Sequence, residues 1–140
     1  MAQHSIKTNW KENNTFETDL DGHKVAIDLG EESGGHDNGP RPKKLALVAA
    51  SGCTGLDVIA ILRKMRIKPK DFDIRIDAEV SDEHPKTYTS MKITYELEGD
   101  NLPKEKVERA CKLSFDNYCG VIALFKKAIP VTYEVIIKNL

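Results

Sequence analysis

One stretch, Pro42 to Arg66 (PKKLALVAASGCTGLDVIAILRKMR), limits what this chain can fold into more than any other. Leu45, Ala46, Leu47, Val48, Ala49 and Ala50 put apolar side chains on every face of the first turns. A helix of that kind is expected to be surrounded by protein and to have no solvent side. Pro42 suits a first helical position, where its missing N–H would be unpaired anyway, and Gly39 closes the loop that leads to it. Near the middle of the run Cys53 stands between Gly52 and Gly55, and each glycine costs an exposed helix about 1 kcal/mol relative to alanine. Two readings offset that cost. A bare backbone lets another element or a substrate come close to the sulfur, or it simply allows tight helix packing.

The rest of the chain reads as strands and helices arranged about this segment. Ser5–Trp10, Thr15–Leu20 and His23–Leu29 are expected strands, with Asp21-Gly22 as a tight hairpin turn. Gly30–Pro40 has the composition of a mobile loop. Beyond the central helix, Phe72–Val80 alternates strictly between apolar and charged residues, and Met91, Ile93, Tyr95 and Leu97 repeat the pattern as the second arm of a hairpin. Pro103 opens a helix whose one face holds Val107, Ala110, Cys111, Ser114, Phe115 and Tyr118; Asp116-Asn117 would end it or cap the next helix, Val121–Lys127. A β-branched run, Val131–Ile137, closes the chain as a strand. The order β-β-β-α-β-β-α-α-β predicts an α+β fold with largely antiparallel sheets. Residues 1–140 are expected to form one domain, with residues 1–38 as a β-meander and loop and residues 39–140 as a helix–hairpin–helix–helix–strand core.

With a formal charge of −1 and acidic and basic residues interleaved, the chain has no electrostatic footprint for nucleic acid or anionic lipid. The polar start, MAQHSIKTNWKEN, does not read as a signal peptide, and charges are expected to interrupt each apolar run short of a bilayer span. These features predict a cytoplasmic protein that meets neither nucleic acid nor membrane. The three cysteines are odd in number and widely spaced, which suits free thiols in a reducing compartment. Together with four histidines they form no metal-ligand spacing, so no metal site is expected.

The cysteines differ in setting. Cys111 lies on the apolar stripe of its helix and is assigned to the core. Cys53 has its glycine flanks, and Cys119 lies in or beside the first turn of a helix, where free N–H groups and the dipole are expected to lower a thiol pKa. The two make a candidate reactive pair. Asp57, one turn beyond Cys53 inside an apolar stretch, needs a partner. It either holds a cation or a network beside the thiol, or binds a donor from a neighbouring element.

The run GPRPKKLALVAASGCTGLDV of Gly39–Val58, together with Tyr118-Cys119-Gly120-Val121, resembles the OsmC/Ohr family of osmotically inducible and organic-hydroperoxide-resistance proteins, and most of all its YhfA-like branch. The resemblance implies antiparallel sheets packed around a long central helix, in an intertwined homodimer with active sites near the subunit interface. It also implies a thiol peroxidase with catalytic Cys53 and Cys119. Cys53 would attack a hydroperoxide and become a sulfenic acid, Cys119 would resolve it as a disulfide, and a dithiol such as a lipoylated protein would restore both thiols. No metal, flavin or haem is required. In the better-understood branch an arginine–glutamate pair orients the thiolate; here the glutamate falls on Lys43 or Lys44 and the arginine on Thr15. Lys43, Lys44 and Arg41 are the candidates for the missing positive charge. The alternative on the same fold is a small-ligand-binding or redox-sensing protein, and a third is a fold in which all three cysteines only pack.

Overall fold

The computed structural model describes all of residues 1–140. The chain divides into two compact units, Met1–Leu47 and Val48–Leu140, and the division falls inside its longest helix.

The first unit is an antiparallel meander of β1 (Thr8–Glu12), β2 (Thr15–Leu20) and β3 (His23–Ile27), paired in the order β1-β2-β3. Asp21 and Gly22 both take positive φ, 52° and 83°, so the Asp-Gly pair makes the tight turn the sequence predicts and sets Leu20 opposite His23. Little of this sheet is buried. Trp10, Phe16 and Leu20 stay exposed, and what the unit encloses is polar: Thr15, Thr18 and Asp28.

Asp28 organises the stretch that composition marks as mobile. Its carboxylate accepts from Thr15 Oγ1 at 3.0 Å and from the backbone N–H groups of Leu29 at 2.7 Å, Asn38 at 3.1 Å and His36 at 3.3 Å. A short 3-10 turn, Glu31–Ser33, fills the loop between them. Burial alone would raise the Asp28 pKa, but the donors from Asn38, Leu29, Thr15 and His36 outweigh it and hold it below the ordinary carboxylate value.

The second unit holds a sheet in the order β4-β5-β6, from β4 (Asp71–Val80), β5 (Tyr88–Gly99) and β6 (Val131–Asn139). The β4–β5 pair is antiparallel, as predicted, but β5 and β6 run parallel. The reason is the crossover: α2 (Lys104–Leu113), a π-helical turn (Ser114–Tyr118) and α3 (Gly120–Ala128) bring the chain back to the end from which β5 began. Met91, Ile93, Tyr95 and Leu97 of the middle strand are buried together with Val107, Ala110 and Cys111 of α2 and Ile122 of α3. These side chains are the core.

The long helix α1 runs from Pro42 to Lys64. In the second unit its buried residues fall every fourth position, Ala50, Thr54, Val58 and Leu62. The expectation of a helix with no solvent side fails within one chain, because Val48 and Leu56 are 61% and 76% exposed and Ala46, Ala49, Gly52 and Ala60 are exposed with them. A second expectation needs correcting as well. Between Leu45 and Leu62 the only charge is Asp57, so by length and composition α1 could cross a membrane. Asp57 accepts a hydrogen bond from Ser114, and Ala50, Thr54, Val58 and Leu62 pack in the core, so the inner stripe of α1 is accounted for within this chain.

Replacing Asp28 with alanine should release the Leu29–Asn38 loop. Hydrogen exchange at the Leu29, His36 and Asn38 amides should accelerate strongly while the β4–β5 amides keep their protection. The same loop should loosen in the wild type as pH falls, since a carboxylate with a lowered folded pKa contributes its stabilisation above the ordinary value and loses it below the lowered one. Unchanged exchange in the variant would show that the loop does not depend on this group.

Candidate active site

Cys53, Thr54 and Asp57 occupy one turn of α1, with Cys53 and Asp57 four residues apart on one face and Thr54 on the core stripe beside them. Thr54 is fully buried, and its Oγ1 lies 2.7 Å from the Tyr95 hydroxyl and 2.7 Å from Ser114 Oγ. Ser114 Oγ in turn donates to Asp57 Oδ2 at 2.9 Å. Proton bookkeeping fixes the direction of this chain. An ionised carboxylate can only accept, so the single Ser114 proton goes to Asp57, the Thr54 proton to Ser114, and the Tyr95 proton to Thr54. Tyr95 and Ser114 are also fully buried, and burial raises the Tyr95 pKa far above that of a free phenol. No buried side-chain polar atom in the protein lacks a partner.

The π-helical turn gives the second thiol its position. At Ser114 the α-helical ladder widens, so that the Cys119 N–H donates five residues back to Ser114 O at 2.9 Å. Lys126 from α3 braces the turn: its Nζ donates to Phe115 O at 2.6 Å and sits 3.8 Å from the centre of the Phe115 ring. Of the two roles open to Asp116-Asn117, capping α3 is taken by Cys119, whose sulfur accepts from the Ile122 N–H at 3.4 Å. Asp116 instead pairs with Lys112 at 2.6 Å and Lys126 at 3.8 Å.

The outcome is a convergence of three groups. Cys53 Sγ, Cys119 Sγ and a carboxylate oxygen of Asp57 all lie within 4.8 Å of one another. Cys53 is half-buried, whereas Cys119 is 3% exposed. Burial pushes the Cys119 thiol up; the Ile122 N–H opposes that, the Cys53 sulfur adds to it, and the net value is about 11. The expectation that a helix start would lower this pKa is therefore overturned, because desolvation outweighs the N–H donors. The same trio is the donor set that could share a metal ion.

The third cysteine is separate in character. Cys111 is fully buried, and its thiol is pushed up to about 12 by burial and by the Glu108 charge, which fits the core role assigned to it. At Gly55 the backbone faces β4: a Cβ there would stand 3.0 Å from Ile74 Cδ1, a tight contact that a small shift of that side-chain end would relieve. Gly52 meets nothing within 4 Å in this chain. Of the candidate cations, Arg41 is engaged with Asp37 at 2.6 Å and Glu32 at 4.0 Å, while Lys43 and Lys44 are exposed. Thr15, at the position matched to the missing arginine, is the residue that donates to Asp28. Sequence reasoning passed over the roles of Thr54, Tyr95 and Ser114. The available signal was a hydroxyl at each of three positions where the periodicity calls for an apolar core residue.

Residues 35–134 match the family model of the OsmC-like protein. Protein YhfA of Escherichia coli K12 is 32% identical over 133 residues, covering 93% of this chain and 96% of that protein. A hypothetical protein from Aquifex aeolicus superposes with a TM-score of 0.82 at 28% identity, over 99% of this chain and all of that one. An organic hydroperoxide resistance protein OsmC from Legionella pneumophila shares the fold, with a TM-score of 0.69 at 16% identity, covering 97% of this chain and 99% of that one.

Thr54→Val keeps the volume of the side chain and removes the hydroxyl that joins Tyr95 to Ser114. Leaving buried partners unpaired should cost about 1–3 kcal/mol, read from the denaturant midpoint, against less than about 0.5 kcal/mol for the same change at exposed Thr89. Equal midpoints for the two variants would show that the hydroxyl chain carries no stability.

Proposed function

Because the chain belongs to the OsmC-like family, we propose that it is a cysteine-based peroxidase that reduces organic hydroperoxides or hydrogen peroxide in the cytoplasm. The observation that carries this reading is the convergence of two thiols within 4.8 Å, Cys53 half-buried and Cys119 buried. In the first step the Cys53 thiolate attacks the terminal oxygen of the hydroperoxide. An S–O bond forms, the O–O bond breaks, and the alkoxide leaves as alcohol after taking a proton. In the second, the Cys119 sulfur attacks the sulfenic sulfur, an S–S bond forms, and the oxygen departs as water. A dithiol, with a lipoylated protein as the proposed donor, then reduces the disulfide by exchange and is itself oxidised.

The working unit is proposed to be a homodimer. The outward face of α1, with Val48, Leu56 and the bare backbone at Gly52, is apolar and open. It continues along a groove lined by Ser51, Gly55, Ile59, Phe72 and Ile74, with charged Arg63 and Asp73 also in its wall. Burying a side chain of the size of Leu56 or Val48 contributes roughly 1.5–3 kcal/mol, and a second copy of the same helix is the occupant whose surface is self-complementary to small and apolar residues.

Two measurements test these readings. The purified protein should consume cumene hydroperoxide with dihydrolipoamide as reductant, Cys53→Ser should abolish turnover, and Cys119→Ser should stop after a single oxidation. Absence of turnover with Cys53 still reduced would sink the peroxidase and return the ligand-binding alternative. In solution the mass should be twice the 15.7 kDa of the chain, and Leu56→Asp should halve it. A wild-type monomer would remove the dimer.

A further inference from the structure

We propose that Asp57 is the proton acceptor for the thiol of Cys119 when that sulfur attacks Cys53, and that the buried hydroxyls of Tyr95, Thr54 and Ser114 hold the carboxylate in place to receive it. The proposal deepens the peroxidase reading and rests on it for the biological step, but the proton transfer itself belongs to any resolution of a Cys53 adduct by Cys119.

The argument starts from a difficulty. A thiol that attacks sulfur must lose its proton, and Cys119 is poorly placed to lose one to solvent. With a pKa of about 11, only about one part in ten thousand is thiolate at pH 7. A base inside the site is needed. The groups that face Cys119 can be named by element. From α1 come Cys53 and Asp57; from the first turn of α3 come the N–H groups of Ile122 and Val121; from the π-helical turn comes the Ser114 hydroxyl, and from β5 Tyr95 acting through Thr54. The N–H groups and the hydroxyl chain donate, and Cys53 is the electrophile in this step. Asp57 alone can accept, and its carboxylate lies within 4.8 Å of both sulfurs, a span that one bridging water or a small side-chain shift closes.

The hydroxyl chain explains why the carboxylate stays available. Each of its protons points towards Asp57, so one oxygen is held by Ser114 while lone pairs remain on the carboxylate for a thiol proton. The chain is anchored to two other elements, the middle strand at Tyr95 and the π-helical turn at Ser114. The second anchor lies five residues before Cys119 itself, so the base and the sulfur it serves are positioned by one turn. The step balances. The S–S bond forms as the Cys53–leaving-group bond breaks, the Cys119 proton passes to Asp57, and in the peroxidase cycle Asp57 returns it to the departing hydroxide, which leaves as water.

The test isolates this step from hydroperoxide chemistry. One equivalent of Ellman's reagent converts half-buried Cys53 to its mixed disulfide with release of one thionitrobenzoate, and attack by Cys119 then releases a second, which is timed. Cys119→Ser should abolish the second release. Asp57→Asn should slow it by about a hundredfold at neutral pH, within the range of general-base contributions. Raising the pH towards the value of the thiol should restore the Asp57→Asn rate while the wild type stays nearly flat, a response that a merely structural defect would not give. Ser114→Ala keeps the base and removes its holder, so a smaller slowing, about tenfold, is expected even if Asp57→Asn folds poorly. Second release in Asp57→Asn as fast as in wild type, or a slowing that high pH does not relieve, would overturn the proposal. Normal second release in a wild type that consumes no hydroperoxide would remove the peroxidase reading and leave the proton transfer standing.

Discussion

The second unit depends on one hydroxyl. Thr54 Oγ1 is the point where α1, the middle strand and the π-helical turn meet, and each of its hydrogen bonds is 2.7 Å long. In an interior from which water is excluded, a chain of satisfied hydroxyls is a stringent device. It holds only one relative placement of its elements, and any slippage leaves a donor without an acceptor. Apolar packing could hold α1 against the sheet in several registers; the Tyr95–Thr54–Ser114–Asp57 chain selects one. Because Cys53 is next to Thr54 and Cys119 is five residues past Ser114, that selection also fixes how far apart the two sulfurs stand.

The same helix shows two kinds of constraint on its two sides. Towards the core, the residues between Ala50 and Leu62 that repeat every fourth position are held by specific contacts, and the bare backbone at Gly55 lets Ile74 approach. On the other side, Val48 and Leu56 are exposed and a Cβ at Gly52 would point into open space. A sequence apolar all round is needed only if both sides are covered, and one chain covers one side. The meander makes a parallel case, with Trp10 and Phe16 exposed over a unit whose interior is polar. Exposed apolar surface of this kind is what the proposed dimer would cover.

Much of the architecture was legible because short-range rules govern it. Thr15–Leu20 is a strand with the expected bounds, Asp21-Gly22 makes the turn that positive φ demands, and the order of nine strands and helices follows from periodicity, turn signals and proline positions. What periodicity could not supply was anything fixed by contacts distant in sequence. The parallel pairing of β6 depends on where a crossover lands, not on the strand's own residues. The π-helical turn looks like one more turn of an amphipathic helix, since Ser114, Phe115 and Tyr118 keep the apolar spacing. The role of Asp28 likewise comes from distant residues, Thr15, His36 and Asn38, that gather on it.

The site was legible in its sulfurs and illegible in its electrostatics, and the two facts have one cause. Glycine flanks and a helix start are local, and they pointed to Cys53 and Cys119. The pKa of Cys119 is a balance between local donors, which the sequence places at the start of α3, and desolvation, which depends on everything packed around it. Burial wins, so a cap that would activate an exposed thiol leaves this one protonated. Burial is what distinguishes the two cysteines, Cys53 half-buried and Cys119 enclosed. In the proposed cycle the half-buried sulfur meets the substrate, and the buried one reacts once its partner has become electrophilic and a carboxylate stands ready for its proton. Asp57 meets the second condition only because three hydroxyls from three elements agree on where it sits.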